Sequence, residues 1–286
     1  MTKFWKMHGL GNDFVVIDAS TSPVIIHPRD IANLSNRHTG IGFDQLLLIE
    51  KSNKADFACR IFNADGSQAA QCGNGLRCVA RFVHENQLTQ HTSFTIETIS
   101  GIADIQLISY EKIKVKLSKP NFNPSAIPFL TTEKKALYEI ALSDSNTVLQ
   151  FSALSMGNPH IIIKVTDLEK YPVKKIGAEI AAKSIFPQGV NVGFMEIINP
   201  ETIRIRTFER GAGETYACGS NACAAVVAGI VNYGLARTVI VKLLLGDLII
   251  EWPNNQDAVQ MTGAAEWSYK GETLRKEGRK ELINNE

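Results

Sequence analysis

The sequence predicts an α/β fold of α+β-like character: two pseudo-symmetric domains, each a curved and mostly antiparallel sheet around one central helix. Three observations predict it. The two halves of the chain repeat each other in register, and each half contains short apolar runs separated by turn residues. In each half an apolar helix follows a Cys-Gly pair, and a helix that is apolar on most faces is buried all round.

One constant offset relates the two halves over most of their length. It superimposes glycine or polar residues that lie beside the start of a strand or helix: Gly11-Asn12 on Gly157-Asn158, Gln45 on Asn191, and Cys72-Gly73 on Cys218-Gly219. Beyond the Cys-Gly pairs the offset is one residue shorter, so that Cys78 meets Cys223 and Gly101 meets Gly246. The repeat indicates gene duplication, and the cleft between two such domains is a favoured place for a ligand site.

The elements follow the same order in both halves. Each half begins with a strand (FVVID, then HIIIKV) and continues with a helix (PRDIANLSNR, with Pro28 near its start, then KKIGAEIAAKS). Two more strands lead to the Cys-Gly helix (QLLLIEK and DFACRIFN, then NVGFMEII and TIRIRTFE). Two strands around a turn close each half (SGIADIQLI with EKIKVKLS, then LLGDLIIEW with DAVQMTG).

A proline-rich segment, SKPNFNPSAIP, separates the two halves and predicts the linker. We therefore expect an N-terminal domain over residues 1–118 and a C-terminal domain over residues 119–263. The charged C-terminal tail, residues 264–286, is expected to pack back against the N-terminal domain.

Composition argues for a soluble cytoplasmic protein. The 286 residues carry 30 basic and 29 acidic side chains, and this balance gives no field that would attract nucleic acid or an anionic membrane. No apolar run reaches the ~18 residues that indicate a membrane span. Five cysteines, an odd number, argue against a disulfide framework, and their spacing does not resemble a zinc site, so no metal is expected.

The two Cys-Gly pairs are the candidate chemistry. Backbone N–H groups at a helix start lack intrahelical partners, and together with the helix dipole they form an anion pocket. The same field is expected to stabilise a thiolate at Cys72 and Cys218 and to lower its pKa. Glycine in the next position lets a ligand approach the backbone closely.

Two such units facing each other across a cleft predict proton transfer at an α-carbon. An α-carboxylate held between both helix starts would place one sulfur on each side of its α-carbon. One sulfur could then remove the α-proton while the other supplies a proton from the opposite face, which is two-base racemisation or epimerisation. The backbone N–H groups would stabilise the charge that develops on the carboxylate.

The chain resembles the diaminopimelate epimerases, cofactor-independent enzymes of bacterial lysine and cell-wall biosynthesis. The resemblance covers nearly the whole chain and rests on these segments: HGLGNDFVVID (8–18), GFDQLLLI (42–49), FNADGS…CGNGLRC (62–78), SMGNPHIII (155–163), GVNVGFM (189–195) and ERGAGETYACGSNACAA (209–225). It implies the two-domain fold, the interconversion of LL- and meso-diaminopimelate by two cysteines, no cofactor, and a homodimer with Tyr269 at its contact.

The resemblance also implies residue roles. In the LL-to-meso direction Cys218 is the proton acceptor and Cys72 the donor, and His160 and Glu209 tune their pKa values. The N–H groups of Gly73, Asn74, Gly219 and Ser220 hold the reacting carboxylate. The remaining substrate contacts are Asn12, Gln45, Asn63, Asn158, Asn191, Glu209 and Arg210, of which Asn63, Asn158, Asn191 and Arg210 bind the distal end.

Several of these residues also have plain structural interpretations. Cys59, Cys78 and Cys223 are expected to be core residues, because free cysteine is often buried. His160 alone fits a buried strand histidine, each asparagine fits a turn, and Glu209-Arg210 fits a solvated loop. The competing functions are a proline racemase or hydroxyproline epimerase, a thiol-redox or zinc-binding protein, and a binding module without catalysis.

Overall fold

The structure is a computed structural model that describes residues 2–131, 133–143 and 147–273. The first half contains eight strands and two helices: β1 (Lys3–Gly9), β2 (Asn12–Asp18), α1 (Pro28–Ser35), β3 (Gln45–Glu50), β4 (Phe57–Asn63), β5 (Gln68–Ala69), α2 (Gly73–Glu85), β6 (Ser93–Thr98), β7 (Gly101–Ser109) and β8 (Lys112–Lys116).

The second half follows a short 3-10 helix at Pro124–Ala126, and its described residues form ten strands and two helices: β9 (Tyr138–Ala141), β10 (Val148–Ser155), β11 (Pro159–Lys164), α3 (Val173–Ala181), β12 (Asn191–Asn199), β13 (Thr202–Glu209), β14 (Gly213–Thr215), α4 (Gly219–Tyr233), β15 (Thr238–Leu243), β16 (Gly246–Glu251), β17 (Gln260–Gly263) and β18 (Glu266–Glu272). The predicted helices therefore form, with α1 and α3 ending a few residues before the sequence patterns do.

Strand pairing reproduces the sequence repeat residue by residue. The first parallel pair, β2 with β3, matches Phe14 to Gln45, and its counterpart, β11 with β12, matches His160 to Asn191. The second parallel pairs are β4 with β6 and β13 with β15. The remaining strand pairs inside each half are antiparallel, which confirms the repeat and the mostly antiparallel sheets.

The two halves share one continuous sheet. Strand β17 of the second half pairs with β8 of the first, and β18 returns to pair with β1. The expected linker also pairs with the second half, because Asn121 forms an antiparallel bridge to Ser155 on β10. Of the expected tail, residues 266–272 form β18, while residues 274–286 lie outside the described part of the chain.

Helices α2 and α4 are the centres of the two inner cores. The first two-thirds of α4 is buried, and Leu76, Val79 and Phe82 of α2 are at most 1% exposed. In each half the opposite face of the sheet is covered by the smaller helix, so that Ile31 of α1 and Ile180 of α3 belong to two outer cores. The two buried helices are thereby fixed in position relative to the sheet, and so are the cysteines at their starts.

No helix in the described ranges is long and apolar enough to cross a membrane. Within the same ranges, no group of three or more His, Cys, Asp or Glu side chains is arranged to hold a metal ion. Cys59, Cys78 and Cys223 are at most 3% exposed, which confirms them as core residues.

Candidate active site

Cys72 and Cys218 each occupy the residue that precedes a buried helix. Cys72 is the N-cap of α2, and its Sγ accepts a hydrogen bond from the N–H of Gly75 at 3.4 Å. Cys218 is the N-cap of α4, with its Sγ 3.5 Å from Ser220 Oγ. Both cysteines are unpaired, Cys72 half-buried and Cys218 buried. The structure thus confirms the predicted position of both thiols at helix starts.

The two helix starts lie close to each other. Asn74 Nδ2 of α2 donates to the carbonyl oxygen of Ala217, the residue before Cys218, at 3.5 Å. Met261 of β17 lies between them: a Cβ added at Gly73 would be 2.4 Å from Met261 Cε, and one at Gly219 2.9 Å from Met261 Sδ. The two glycines that follow the cysteines therefore have no room for a side chain, and no side chain of their own covers the helix N–H groups.

Burial dominates the acidity of both thiols. It raises the pKa of Cys72 to about 11, although the backbone N–H of Gly75 and the Arg77 guanidinium act in the opposite direction. Burial and the nearby Glu209 carboxylate raise the pKa of Cys218 well above its ordinary value. The expectation that the helix start lowers these pKa values is therefore wrong in its net direction, because desolvation of the thiolate outweighs the field of the helix.

Glu209 is the charged group in contact with Cys218. It ends β13, and its carboxylate hydrogen-bonds to the Cys218 thiol and to Thr215 Oγ1 of the neighbouring β14. Burial raises the pKa of Glu209, and these two donors act against that rise. Glu209 therefore affects the acidity of Cys218 through a direct contact.

Asn12, at the start of β2, is a neighbour of Cys72 within the first half. Its Oδ1 lies 3.8 Å from Cys72 Sγ and accepts from Asn74 Nδ2 at 3.2 Å. Its Nδ2 donates to Asp44 Oδ2 at 2.9 Å. Arg37 pairs with Asp44 at 3.0 Å and so keeps that carboxylate in place. The amide of Asn12 is thus held with its oxygen towards the Cys72 thiol.

Gln45 and Asn63 lie side by side on β3 and β4. Gln45 Nε2 donates to Asn63 Oδ1 at 2.9 Å, and Asn63 Nδ2 donates to Ser67 Oγ at 3.0 Å. Gln45 Oε1 is buried and has no hydrogen-bond partner among the described residues. An unpaired buried acceptor of this kind fits a contact with a donor group of a ligand.

His160 and Asn158 form the corresponding wall in the second half. His160 Nε2 is 2.8 Å from Asn158 Oδ1, and Asn158 Nδ2 lies 3.5 Å from Ser220 Oγ on α4. Burial, aided by the charge of Arg210, lowers the pKa of His160 to about 3, so its ring is neutral. Among the described residues, hydrogen bonds connect His160 to Cys218 only through Asn158 and Ser220. His160 therefore has no hydrogen bond of its own to a thiol.

Asn191 orients Arg210. Asn191 Oδ1 accepts from the backbone N–H of Arg210 at 3.0 Å, and its Nδ2 donates to the carbonyl oxygen of Pro159 at 3.1 Å. Arg210 Nη1 donates to the carbonyl oxygen of Gln188 at 2.9 Å. Asn191 is 4% exposed, and these two hydrogen bonds position the loop that carries the arginine.

The sequence did not identify Met261, Asp44 or Thr215 as parts of this site. Asp44 and Thr215 lie inside the quoted segments, one residue before Gln45 and three residues before Cys218, but their side-chain partners become evident only when the strands pair. Met261 lies in a short strand with no polar marker. Tyr269, the expected dimer residue, lies on β18, 49% exposed, with its ring edge-on to Phe4.

Comparison with known proteins identifies the family. The family model "Diaminopimelate epimerase" matches residues 4–123 and 152–268. The chain is 46% identical to the diaminopimelate epimerase of Nitrosospira multiformis, over 94% of this chain and 97% of that protein. It is 44% identical to that of Coxiella burnetii, over 95% of this chain and 98% of that protein.

Solved structures of more distant proteins share the fold. A hydroxyproline epimerase from Agrobacterium vitis superimposes with a TM-score of 0.70 at 14% identity, covering 94% of this chain and 91% of that one. A PhzF-family phenazine biosynthesis protein from Bacillus anthracis gives 0.64 at 18% identity, covering 96% and 99%. These likenesses confirm the predicted fold class, and the sequence matches decide the family. The chain belongs to the diaminopimelate epimerase family and is an isomerase.

Proposed function

We propose that this protein interconverts LL- and meso-2,6-diaminopimelate without a cofactor, by proton transfer between two thiols and the α-carbon. The observation that carries the proposal is the close approach of two helix starts, each headed by a cysteine. The hydrogen bond from Asn74 to the carbonyl of Ala217 supports that approach. The relatives named diaminopimelate epimerase supply the substrate class.

In this proposal the reacting carboxylate binds the N–H groups of Gly73, Asn74, Gly219 and Ser220. In the LL-to-meso direction the Cys218 thiolate takes the α-proton and becomes a thiol. The electron pair of the broken C–H bond is delocalised into the carboxylate, where the helix N–H groups stabilise it. That pair then takes the proton of the Cys72 thiol on the opposite face, which leaves Cys72 as thiolate. The reverse direction exchanges the two roles.

The raised thiol pKa values suit this chemistry. An α-proton beside a carboxylate is weakly acidic, so it requires a strong base, and a thiolate with a raised pKa is a stronger base than an ordinary one. Exclusion of water also strengthens the interaction between the carboxylate and the helix N–H groups. We propose that Glu209 tunes Cys218 directly and that His160 acts on it through Asn158 and Ser220.

The distal amino-acid end of the substrate is proposed to bind Asn63, Asn158, Asn191 and Arg210, with Asn12 and Gln45 lining the site. Arginine suits a carboxylate because its fork of donors can bind both oxygens, and amides offer both donors and acceptors to a zwitterion. A proline or hydroxyproline ring has no second amino-acid end to occupy this wall. The structural similarity to a hydroxyproline epimerase shows a shared fold and does not favour that substrate.

The first test is conversion of LL-diaminopimelate under reducing conditions with no added cofactor. Wild-type protein should form the meso isomer, whereas Cys72→Ser and Cys218→Ser should lose on the order of 10²–10⁴-fold of the rate, because each loses one proton-transfer group. Cys59→Ala, which removes a buried thiol on β4, is the control. Turnover of proline or hydroxyproline in place of diaminopimelate would contradict the proposal.

We further propose a cytoplasmic homodimer that acts in lysine and peptidoglycan precursor synthesis. The five unpaired cysteines suit a reducing compartment. The exposed Tyr269 and the aromatic side chains beside it on β1 and β18 offer a surface for the dimer contact. A sedimentation experiment in which wild-type protein remains monomeric at micromolar concentration, or in which Tyr269→Ala has no effect on a dimer, would contradict this assignment.

A further inference from the structure

Arg77 is a buried charge that the mechanism above does not use. It lies on α2, in the second turn after Cys72, and is 0% exposed. Its Nε donates to the carbonyl oxygen of Ala264 at 3.0 Å, and its Nη1 lies 3.5 Å from Met261 Sδ. Its Nη2 has no partner among the described residues.

No carboxylate in the described ranges pairs with this guanidinium, whose titratable neighbours are the thiols of Cys72, Cys78 and Cys223. Arg81, one turn further along α2, differs in this respect. It also donates to a carbonyl between β17 and β18, that of Ala265, but it is neutralised by Glu85 at 2.9 Å. Burying an ionised group without a counter-charge has a large free-energy cost, and the guanidinium stays protonated at neutral pH.

The fold makes room for this unpaired cation. A Cβ added at Gly9, at the end of β1, would lie 3.0 Å from Arg77 Nη2. A Cβ added at Gly263, at the end of β17, would lie 3.3 Å from Arg77 Cζ. Glycines on two strands therefore flank the guanidinium and leave it the space that a side chain there would fill.

The Arg77 guanidinium lies close to the two helix starts, with Met261 between them. Met261, whose sulfur meets Arg77 Nη1, is the residue that lies against both Gly73 and Gly219. One polarizable thioether therefore separates the guanidinium from the backbone that is proposed to bind the carboxylate. Because a helical side chain leans towards the helix N-terminus, Arg77 directs its charge back towards Cys72.

The two halves differ in the charges that lie near their cysteines: Arg77 near Cys72 and Glu209 near Cys218. The residue that corresponds to Arg77 in the second half is Ala222, and the residue that corresponds to Glu209 in the first half is Asn63. The Cys72 side thus contains a buried cation with no counterpart, and the Cys218 side contains a half-buried carboxylate with no counterpart. Among the charges around Cys72, Arg77 favours the thiolate, whereas Glu209, across the cleft, opposes it.

We propose that Arg77 is an electrostatic positioning residue, a buried cation kept unpaired so that its charge stabilises the Cys72 thiolate left after this thiol has given its proton. It acts through space and across Met261, and it does not touch the substrate. Its catalytic consequence rests on the proposed function, but its effect on Cys72 exists without substrate and is tested separately.

The test measures the pH dependence of alkylation of each cysteine by iodoacetamide, with peptide mass spectrometry to separate the sites. In Arg77→Met, which keeps the bulk of the side chain and removes its charge, the pKa of Cys72 should rise by about one unit or more, equivalent to a tenfold loss of thiolate. Epimerase kcat/KM should fall by a similar factor. Arg77→Lys should recover most of both losses, and Arg81→Met, which removes the paired arginine, should not shift Cys72.

A stability measurement separates this role from a structural one. Removal of an unpaired buried charge should leave the unfolding midpoint of Arg77→Met unchanged or higher, although activity falls. An unshifted Cys72 in folded Arg77→Met, a Lys variant as impaired as Met, or the same shift in Arg81→Met would overturn the proposal. If Arg77→Met does not fold, wild-type protein still decides, because Cys72 must ionise at lower pH than Cys218, and the reverse order overturns the proposal.

Discussion

At the residue scale, the pKa of each site thiol depends on two opposing effects. The helix start lowers the pKa, and burial raises it. The sequence predicted cysteines at helix starts because a Cys-Gly pair stands at the head of an apolar run. It could not predict the direction of their pKa shifts, because desolvation depends on side chains contributed by distant strands. Asn191 shows the same limit: its role in holding the Arg210 backbone depends on the pairing of β12 with β11 and on the end of β13.

His160 gives this scale a prediction about pH and stability. Its pKa is about 3 in the folded protein, against an ordinary value of 6.5. Between pH 6.5 and about 3 the unfolded chain binds a proton at this histidine, whereas the buried ring in the folded protein stays neutral. The free energy of unfolding therefore loses nothing to His160 above pH 6.5 and falls as the pH is lowered below that value. The unfolding free energy of wild-type protein should therefore fall more steeply with acidification than that of His160→Gln, by up to about 1.4 kcal/mol per pH unit.

Urea unfolding at a series of pH values measures this slope, and His38→Gln, at an exposed position, is the control for loss of a histidine. Equal slopes for wild-type protein and His160→Gln would mean that His160 is protonated in the fold. A protonated ring would in turn contradict the neutral His160 that is described beside Asn158 and Ser220.

At the scale of elements, the contacts that join the two halves come from short segments with no strong sequence signal. The turn between β1 and β2 is one of them. Leu10 there has a φ of 56°, in the left-handed region, and it is 7% exposed within the core around α4, although it belongs to the first half. A Cβ added at Gly246 would lie 2.7 Å from Leu10 Cδ2. The turn therefore inserts into the opposite half directly before Asn12.

Leu10→Ala should destabilise the protein by about 2–5 kcal/mol, because it leaves a cavity in a packed core. Leu244→Ala, at a position 56% exposed, should change the unfolding free energy by no more than about 0.5 kcal/mol. Urea unfolding of both variants checks the contrast. If the two leucines proved equally dispensable, the inserted turn could not be a major contact between the halves.

At the scale of the whole molecule, the sequence predicted the repeat and the fold class, because a duplicated chain repeats its turn residues and its apolar helices. The continuity of the sheet was not predictable in the same way. The pairing of β17 with β8 joins strands far apart in sequence, and nothing in DAVQMTG indicates that Met261 lies between two helix starts. In the proposed mechanism the paired halves hold one thiol on each side of the substrate's α-carbon, which is the arrangement that proton transfer on two faces requires.

The most direct test of that arrangement follows isotope labelling early in the conversion of LL-diaminopimelate in D2O. The Cys72 thiol exchanges with solvent before substrate binds, whereas Cys218 takes a proton from the substrate itself. We therefore expect meso product with deuterium at the inverted α-carbon, while unreacted LL substrate retains its protons. Deuterium entering the unreacted LL substrate as fast as product forms, or meso product that keeps the original proton, would contradict a base on each face.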